Sequence, residues 1–315
     1  MLEILAITTP IFLLIGAGYL AMGIRLLNRE QIQGVATFVL YFALPALVIR
    51  ALTENPLEEV FQPHYLLAYG LGSVAVFAFA LLLTLALQGK SLSEAAIHAL
   101  GMAASNSGFI GYPVAAMVLG ASPAAVLLAL NMVIENLLII PAALILAEAG
   151  RQSGAGIATV ARKTFFRLVR NPILVGLMVG LLLAVTGIAL PSPLAKAIDM
   201  LANAAGPAAL FVIGGTLFGL QVRGMLNDVS QIVIGKLILH PLAVLVFFLL
   251  MPAMDPVWVT GAVLFACAPM ISIYPLLGHR YGLAGVSAAT LMIGTLGSFA
   301  TLSLAIWLMK SYGLL

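Results

Sequence analysis

Ala104-Ser105-Asn106-Ser107-Gly108-Phe109-Ile110-Gly111-Tyr112-Pro113 sits in the middle of an otherwise apolar run. Ala266-Cys267-Ala268-Pro269-Met270-Ile271-Ser272-Ile273-Tyr274-Pro275 does the same, and its Tyr-Pro pair lies 162 residues further on (275 − 113). That offset recurs. Pro10 pairs with Pro172, Pro45 with Pro207, Gly18 with Gly180 and Gly120 with Gly282, each 162 apart. A constant spacing shared by helix-breaking residues across a whole chain predicts two copies of one structural unit.

Composition sets the solvent of these copies. The 315 residues are 63% hydrophobic and only 8% charged, against about 25% charged in soluble domains, and mean hydropathy is +1.17. The expectation is an all-α polytopic membrane protein. Apolar runs predict ten transmembrane helices, at about 6–23, 35–52, 64–87, 95–119, 123–148, 171–190, 200–219, 229–250, 257–279 and 285–309, each near the ~20 residues that cross the hydrocarbon. The domains expected are a first five-helix repeat at 1–150, a linker at 151–170 and a second repeat at 171–315. Five spans per copy is an odd number, so the second copy inserts inverted. The amino end carries Glu3 and no basic stretch ahead of its first apolar run, which reads as a retained span and not a cleaved signal.

Orientation follows from basic residues. With both termini outside, the inner loops hold Arg25, Arg29, Lys90, Arg151, Arg162, Lys163, Arg167, Arg170, Arg223 and Arg280, and the outer side only Arg50, Lys196 and Lys310. This is the positive-inside pattern, which makes the basic 151–170 loop cytoplasmic and the membrane a plasma or inner membrane. The outer loop 54–59 is acidic. Arg162–Arg170 forms a basic amphipathic stretch suited to an anionic leaflet. This distribution explains the basic balance without nucleic acid. A single Cys267 excludes an internal disulfide framework and a thiolate metal cluster. No metal-ligand spacing, phosphate loop or nucleophile elbow is present, so neither an enzyme nor a bound cofactor or metal is expected. The Gly176–Gly180 spacing is a weak helix-contact signal.

Proline removes a backbone donor and displaces the preceding turn. The fourth and ninth spans are therefore expected to break into half-helices at Asn106, Ser107, Gly108, Tyr112 and Pro113, and at Pro269, Ser272, Tyr274 and Pro275. In lipid such breaks survive only beside a polar cavity or packed in protein. Half-helix amino ends favour anions, so two inverted breaks predict a binding site made largely of backbone; a pair of kinked helices is the alternative. Ionisable residues within spans are few: Glu135, Lys236 and His240. Asn131 and Glu135 share a helix face, with Asn136 alongside. Glu135 either binds a proton or Na⁺, or is a structural carboxyl bonded to a neighbouring helix. Lys236 either attracts a carboxylate or snorkels to the inner surface, the latter being the expectation. His240 is expected to be a satisfied packing residue.

These residues carry a resemblance. Ile15-Gly16-Ala17-Gly18-Tyr19, Leu44-Pro45, Asn106 with Tyr112-Pro113, Glu135-Asn136, Lys236 with Pro241, and Tyr274-Pro275 make the chain similar, over nearly its whole length, to the auxin efflux carrier family of permeases. That family includes plant auxin exporters and malonate and malate permeases. The resemblance implies an NhaA-type fold with crossed broken helices 4 and 9. It implies a scaffold from spans 1, 2, 6 and 7, a mobile transport domain from spans 3–5 and 8–10, elevator-like alternating access, and a homodimer through the scaffold. Plant exporters carry asparagines at the crossing; Asn106 matches one, but Ala268 stands at the repeat offset from it. Bile-acid sodium symporters, more distant relatives, carry a Glu in the ninth span that is missing here, so Na⁺ coupling of that kind is unsupported. The resulting expectation is a secondary transporter of a small organic anion. Asn106, Ser107, Ser272 and half-helix ends would hold its carboxylate, Tyr112 and Tyr274 would line the crossing, and Glu135 is the candidate for H⁺ coupling. The alternatives are a channel or membrane ligand sensor on the same fold, and a carrier of a neutral or cationic solute.

Overall fold

The computed structural model describes residues 2–54, 62–151, 170–219 and 226–313, with Arg162 and Phe166 between them; side chains are described from Thr9 onward. The outer loop beyond Glu54, at 55–59, most of the linker at 151–170, and Arg223 lie outside the described residues.

The described residues hold helices and no strand. In chain order these are α1 Leu2–Gly23, α2 Arg29–Phe38, α3 Leu44–Glu54, α4 Pro63–Leu82, α5 Leu92–Ala103, α6 Tyr112–Leu119, α7 Ala121–Ile134, α8 Ile140–Ala149, α9 Pro172–Thr186, α10 Ser192–Leu217, α11 Leu226–Ile234, α12 His240–Leu250, α13 Pro256–Cys267, α14 Tyr274–Arg280 and α15 Ala284–Ser311. Seven stretches among them are long and apolar enough to cross a membrane: Arg29–Glu54, Pro63–Leu87, Leu92–Leu119, Ala121–Ala149, Ser192–Leu217, Leu226–Leu250 and Ala284–Ser311. Three shorter apolar helices, Thr9–Gly23, Pro172–Thr186 and Pro256–Cys267, lie where the first, sixth and ninth spans are expected.

Two helices start earlier than hydropathy predicts. Arg29 opens α2 because Asn28 and Gln31 form a reciprocal capping box, each side chain accepting the other's backbone N–H at 2.9 and 2.8 Å. Ser192 opens α10 with Pro193 in its first turn, where the missing N–H has no partner to lose. Ser91 and Glu94 cap α5 in the same reciprocal way. Gly120 and Gly282, with φ of +92° and +82°, come after α6 and α14 in the left-handed region that suits glycine.

The long helices are interrupted by π-helical turns, and proline explains four of the five. Val39–Ala43, Ser107–Gly111, Glu135–Ile139 and Gly235–Leu239 are each succeeded by one residue and then Pro45, Pro113, Pro141 or Pro241. A mid-helix proline has no N–H to give, and its ring collides with the carbonyl four residues back. Widening the preceding turn by one residue relieves the collision and lets the helix resume. The fifth, Leu83–Leu87, closes the third span just before Gly89.

The chain divides into two compact units. The first comprises Met1–Pro63, Ser107–Met132 and Val169–Gly219. Its helices approach through glycine. A Cβ on Gly18 would fall 1.9 Å from the Phe211 carbonyl oxygen, and one on Gly214 at 1.9 Å from that of Ile15, so α1 and α10 touch backbone to backbone. Gly176 and Gly180 pack α9 onto Pro45 and Leu52 of α3, so the weak spacing signal marks a real contact. Arg50 of α3 donates to Asn203 of α10 at 2.8 Å.

The second unit comprises His64–Asn106, Val133–Leu168 and Leu220–Leu315. At its centre α5 is buried on every side from Ala95 to Ala103. The span containing it is 78% buried over its apolar window, against 33% for α15. A span with so little lipid-facing surface is where irregular backbone can be tolerated.

Candidate functional site

Both expected breaks occur. α5 stops at Ala103, Ala104 turns extended (φ −97°, ψ 133°), and helical structure resumes at Ser107. α13 stops at Cys267, Ala268 turns extended (φ −61°, ψ 146°), and α14 begins at Tyr274. The freed backbone groups find each other. The Asn106 N–H donates to the Pro269 carbonyl at 2.7 Å, and the Asn106 side-chain amide Nδ2 donates to Ser272 Oγ at 2.8 Å. Asn106, Pro269 and Ser272, from breaks in two different spans, are thus joined within the second unit.

A polar cluster adjoins this junction. Lys236 is 0% exposed, which corrects the expectation that it snorkels to the surface. Its Nζ donates to Ser105 Oγ at 2.6 Å, to His240 Nδ1 at 2.7 Å and to the Ala266 carbonyl at 2.9 Å. All three ammonium donors are used. The Ala266 carbonyl is available because the proline-bearing break ends α13 one residue later, leaving last-turn acceptors open. Lys236 therefore sits at the negative end of a half-helix dipole, where a cation is favoured. With Nδ1 accepting from Lys236, His240 carries its proton on Nε2, 2.9 Å from Ser73 Oγ. Tyr69 reaches Ser105 at 3.4 Å, and its ring meets that of His240 edge-on at 5.9 Å between centroids.

Ser105 has a second ionisable neighbour. Its backbone N–H donates to Glu135 Oε1 at 3.2 Å, and Glu135 is 1% exposed. One residue at the break thus touches the carboxylate of the fifth span through its N–H and the ammonium of the eighth through its hydroxyl. Ser105 lies two residues before the half-helix opening at Ser107, so Glu135 stands near an amino end, the favourable side for an anion. Both charges are buried, and each is placed by the π-helical turn that Pro141 or Pro241 imposes on its span.

The remaining expected residues divide. Tyr274 is fully buried, but its hydroxyl lies against Gly101 of α5 and Ile232 packs at the same point; Pro275 supplies the first turn of α14. Ser107, Gly108, Tyr112 and Pro113 belong to the first unit, with Gly108 against Leu44 and the Tyr112 ring and Pro113 near Gly206. Asn131 is buried one turn ahead of Glu135, and Asn136 is half-buried in the π-helical turn that Glu135 opens. Ser105, Ser73 and Tyr69 were not singled out from sequence. Helical serines commonly bond their own preceding turn, so Ser73 had no distinguishing mark beyond lying one turn from Tyr69.

Two comparisons bear on the chain. The family model described as Membrane transport protein matches residues 4–308. A protein of Rhizobium meliloti (strain 1021) described as "Putative malonate transporter" is 33% identical over 318 residues, covering 99% of this chain and 97% of the relative. A match of that length takes in both breaks, the buried lysine and the buried glutamate, and the chain belongs to this membrane transport family, the auxin efflux carrier family that its motifs resemble.

Proposed function

We propose that this protein is a secondary transporter of a small organic anion, held as a carboxylate at the junction of the two broken spans. The observation that carries the reading is the joining of Asn106 to Pro269 and Ser272 beside a fully buried Lys236. Amide and hydroxyl donors with a cation behind them suit a carboxylate. They disfavour a cationic solute, which would meet Lys236 at close range. Tyr274 and Pro275 complete the proposed site within the second unit. The relative described as a malonate transporter makes malonate and similar short dicarboxylates the first candidates.

The reading extends to the whole chain. Seven long apolar helices and three shorter ones form ten spans in two inverted repeats of an NhaA-type fold. Its supports are the 162-residue offset and the backbone features that keep to it. α6 and α14 both begin at a Tyr-Pro pair, and the glycines after them both have positive φ. Spans 1, 2, 6 and 7 act as scaffold and the second unit carries substrate in an elevator-like cycle. The support is that these four spans cluster together while spans 3, 8, 9 and 10 cluster apart; Ser107–Met132 groups with the scaffold. The protein works in an inner membrane as a homodimer, termini outside and the 151–170 loop inside, with Glu135 as the H⁺-coupling residue.

Counterflow in proteoliposomes tests the transport claim. Preloaded unlabelled malonate should accelerate entry of labelled malonate by about tenfold or more over empty vesicles, the behaviour of a carrier with alternating access. Binding without trans-stimulation for every mono- and dicarboxylate tried would mean a sensor and overturn the reading.

A further inference from the structure

Glu94, His98, Gly101 and Ser105 succeed one another at spacings of four, three and four residues. That period keeps Glu94, His98 and Gly101 on one face of α5, and Ser105 follows two residues past its end. At the break Ser105 touches Glu135 and Lys236. At the opposite end Lys90 pairs with Asp228 of α11, and Gln88 bonds Gln231 one turn further along α11. His98 lies between. It is 0% exposed, and neither ring nitrogen has a hydrogen-bond partner among the described residues.

Buried polar atoms are nearly always paired, because leaving one unpaired destabilises the fold. An apolar side chain would suit this position better if packing were the only demand. Two further buried polar atoms without partners among the described residues lie on the same course. The Tyr274 hydroxyl rests against Gly101, where an added Cβ would come within 2.7 Å of it, and Gln231 Nε2 is on α11. The charged groups in electrostatic reach of His98 are Lys90 and Glu94 from its own stretch of chain and Asp228 from α11. Tyr274 comes from α14. From α8, packed along α5, comes Glu148, held by Arg280 and Tyr281. Toward the break stand Lys236, fixed by its three hydrogen bonds, and Glu135.

We propose that His98 relays protons between the Lys90–Asp228 end of the second unit and the Ser105–Glu135 end. One ring nitrogen accepts a proton from water at the Lys90–Asp228 end. The other nitrogen gives up its proton by way of the Tyr274 and Ser105 hydroxyls, with water bridging gaps longer than a hydrogen bond, and a carboxylate oxygen of Glu135 receives it. One N–H bond forms, the other breaks, and one O–H bond forms on Glu135; the ring resets by exchanging tautomer. The inference rests on Glu135 as the coupling residue. His98 touches neither substrate nor Glu135, so it is a positioning residue for the proton and takes no part in binding the anion.

The test uses the full chain in vesicles holding a pH-sensitive dye, with malonate as probe, comparing the parent, His98→Gln, His98→Leu and Glu135→Gln. Both His98 variants should lower malonate-driven proton flux by at least about tenfold, the low side of what a positioned proton carrier contributes. Malonate affinity should stay within about twofold. His98→Leu should unfold at a temperature no lower than the parent, since it removes two unpaired buried atoms. Undiminished proton flux in either folded His98 variant overturns the relay. If Glu135→Gln alone abolishes the flux, the relay falls and the Glu135 assignment stands. A parent that moves malonate without protons overturns both.

Discussion

Lys236 shows how one residue can be legible in kind and misread in place. Its position two turns into an apolar span suggests a side chain reaching for the surface. Sequence spacing could not show that the break in another span would leave the Ala266 carbonyl open, or that Ser105 and His240 would supply the other two acceptors. Asn106 and Ser272 were readable because the bilayer penalises unpaired amides and hydroxyls, so their presence mid-span required a reason. Ser73, Tyr69 and Ser105 were not, because a serine or tyrosine in a membrane helix satisfies itself in many ways. Glu135 carries the residue-scale prediction. Glu135→Gln keeps an acceptor for the Ser105 N–H and removes the ionisable group, so the fold should survive while the dependence of transport rate on pH flattens. Parallel rate-against-pH profiles for parent and variant decide it; superimposable curves would remove Glu135 from coupling.

Helix breaks are where sequence speaks most plainly, because proline's missing N–H and rigid ring have local, unavoidable consequences. The ends of α5 and α13 and the starts of α6 and α14 were marked in this way. The π-helical turns were not foreseen. Four of them arise from prolines too, Pro45, Pro113, Pro141 and Pro241, but a kink and a widened turn relieve the same clash, and sequence does not choose between them. Their effect is specific: one added residue rotates the helix before the turn by about 100° relative to the helix after it. The turn Gly235–Leu239 thereby sets where Lys236 points relative to α12. Pro241→Ala removes the clash and lets the span regularise, carrying Lys236 away from Ser105 and Ala266. Transport should fall by about tenfold or more, a loss of at least one hydrogen bond to a charged group, with the protein still helical and monodisperse. Circular dichroism and initial uptake rates measure the two effects separately, and an unchanged rate would show that the turn does not position the lysine.

At the scale of the molecule, the 162-residue offset and the apolar runs anticipated an all-helical membrane protein, and family membership bears out the class. The two units cut across the sequence repeats: each takes spans from both halves of the chain, and the boundary falls between Asn106 and Ser107, inside the break itself. Hydropathy has no access to that division, which arises from long-range packing such as the glycine contacts of α1 with α10. What joins these scales is the claim that an organic anion occupies the junction of the broken spans. The most direct measurement is the affinity of purified, monodisperse protein for labelled malonate, parent against Asn106→Ala. The substitution removes an amide that donates to half-buried Ser272 and that would donate to a bound carboxylate, at about 1–3 kcal/mol for a hydrogen bond to a charged group. The account predicts affinity weaker by about five- to 150-fold. Equal affinity in a folded Asn106→Ala variant would place the binding site elsewhere and contradict it.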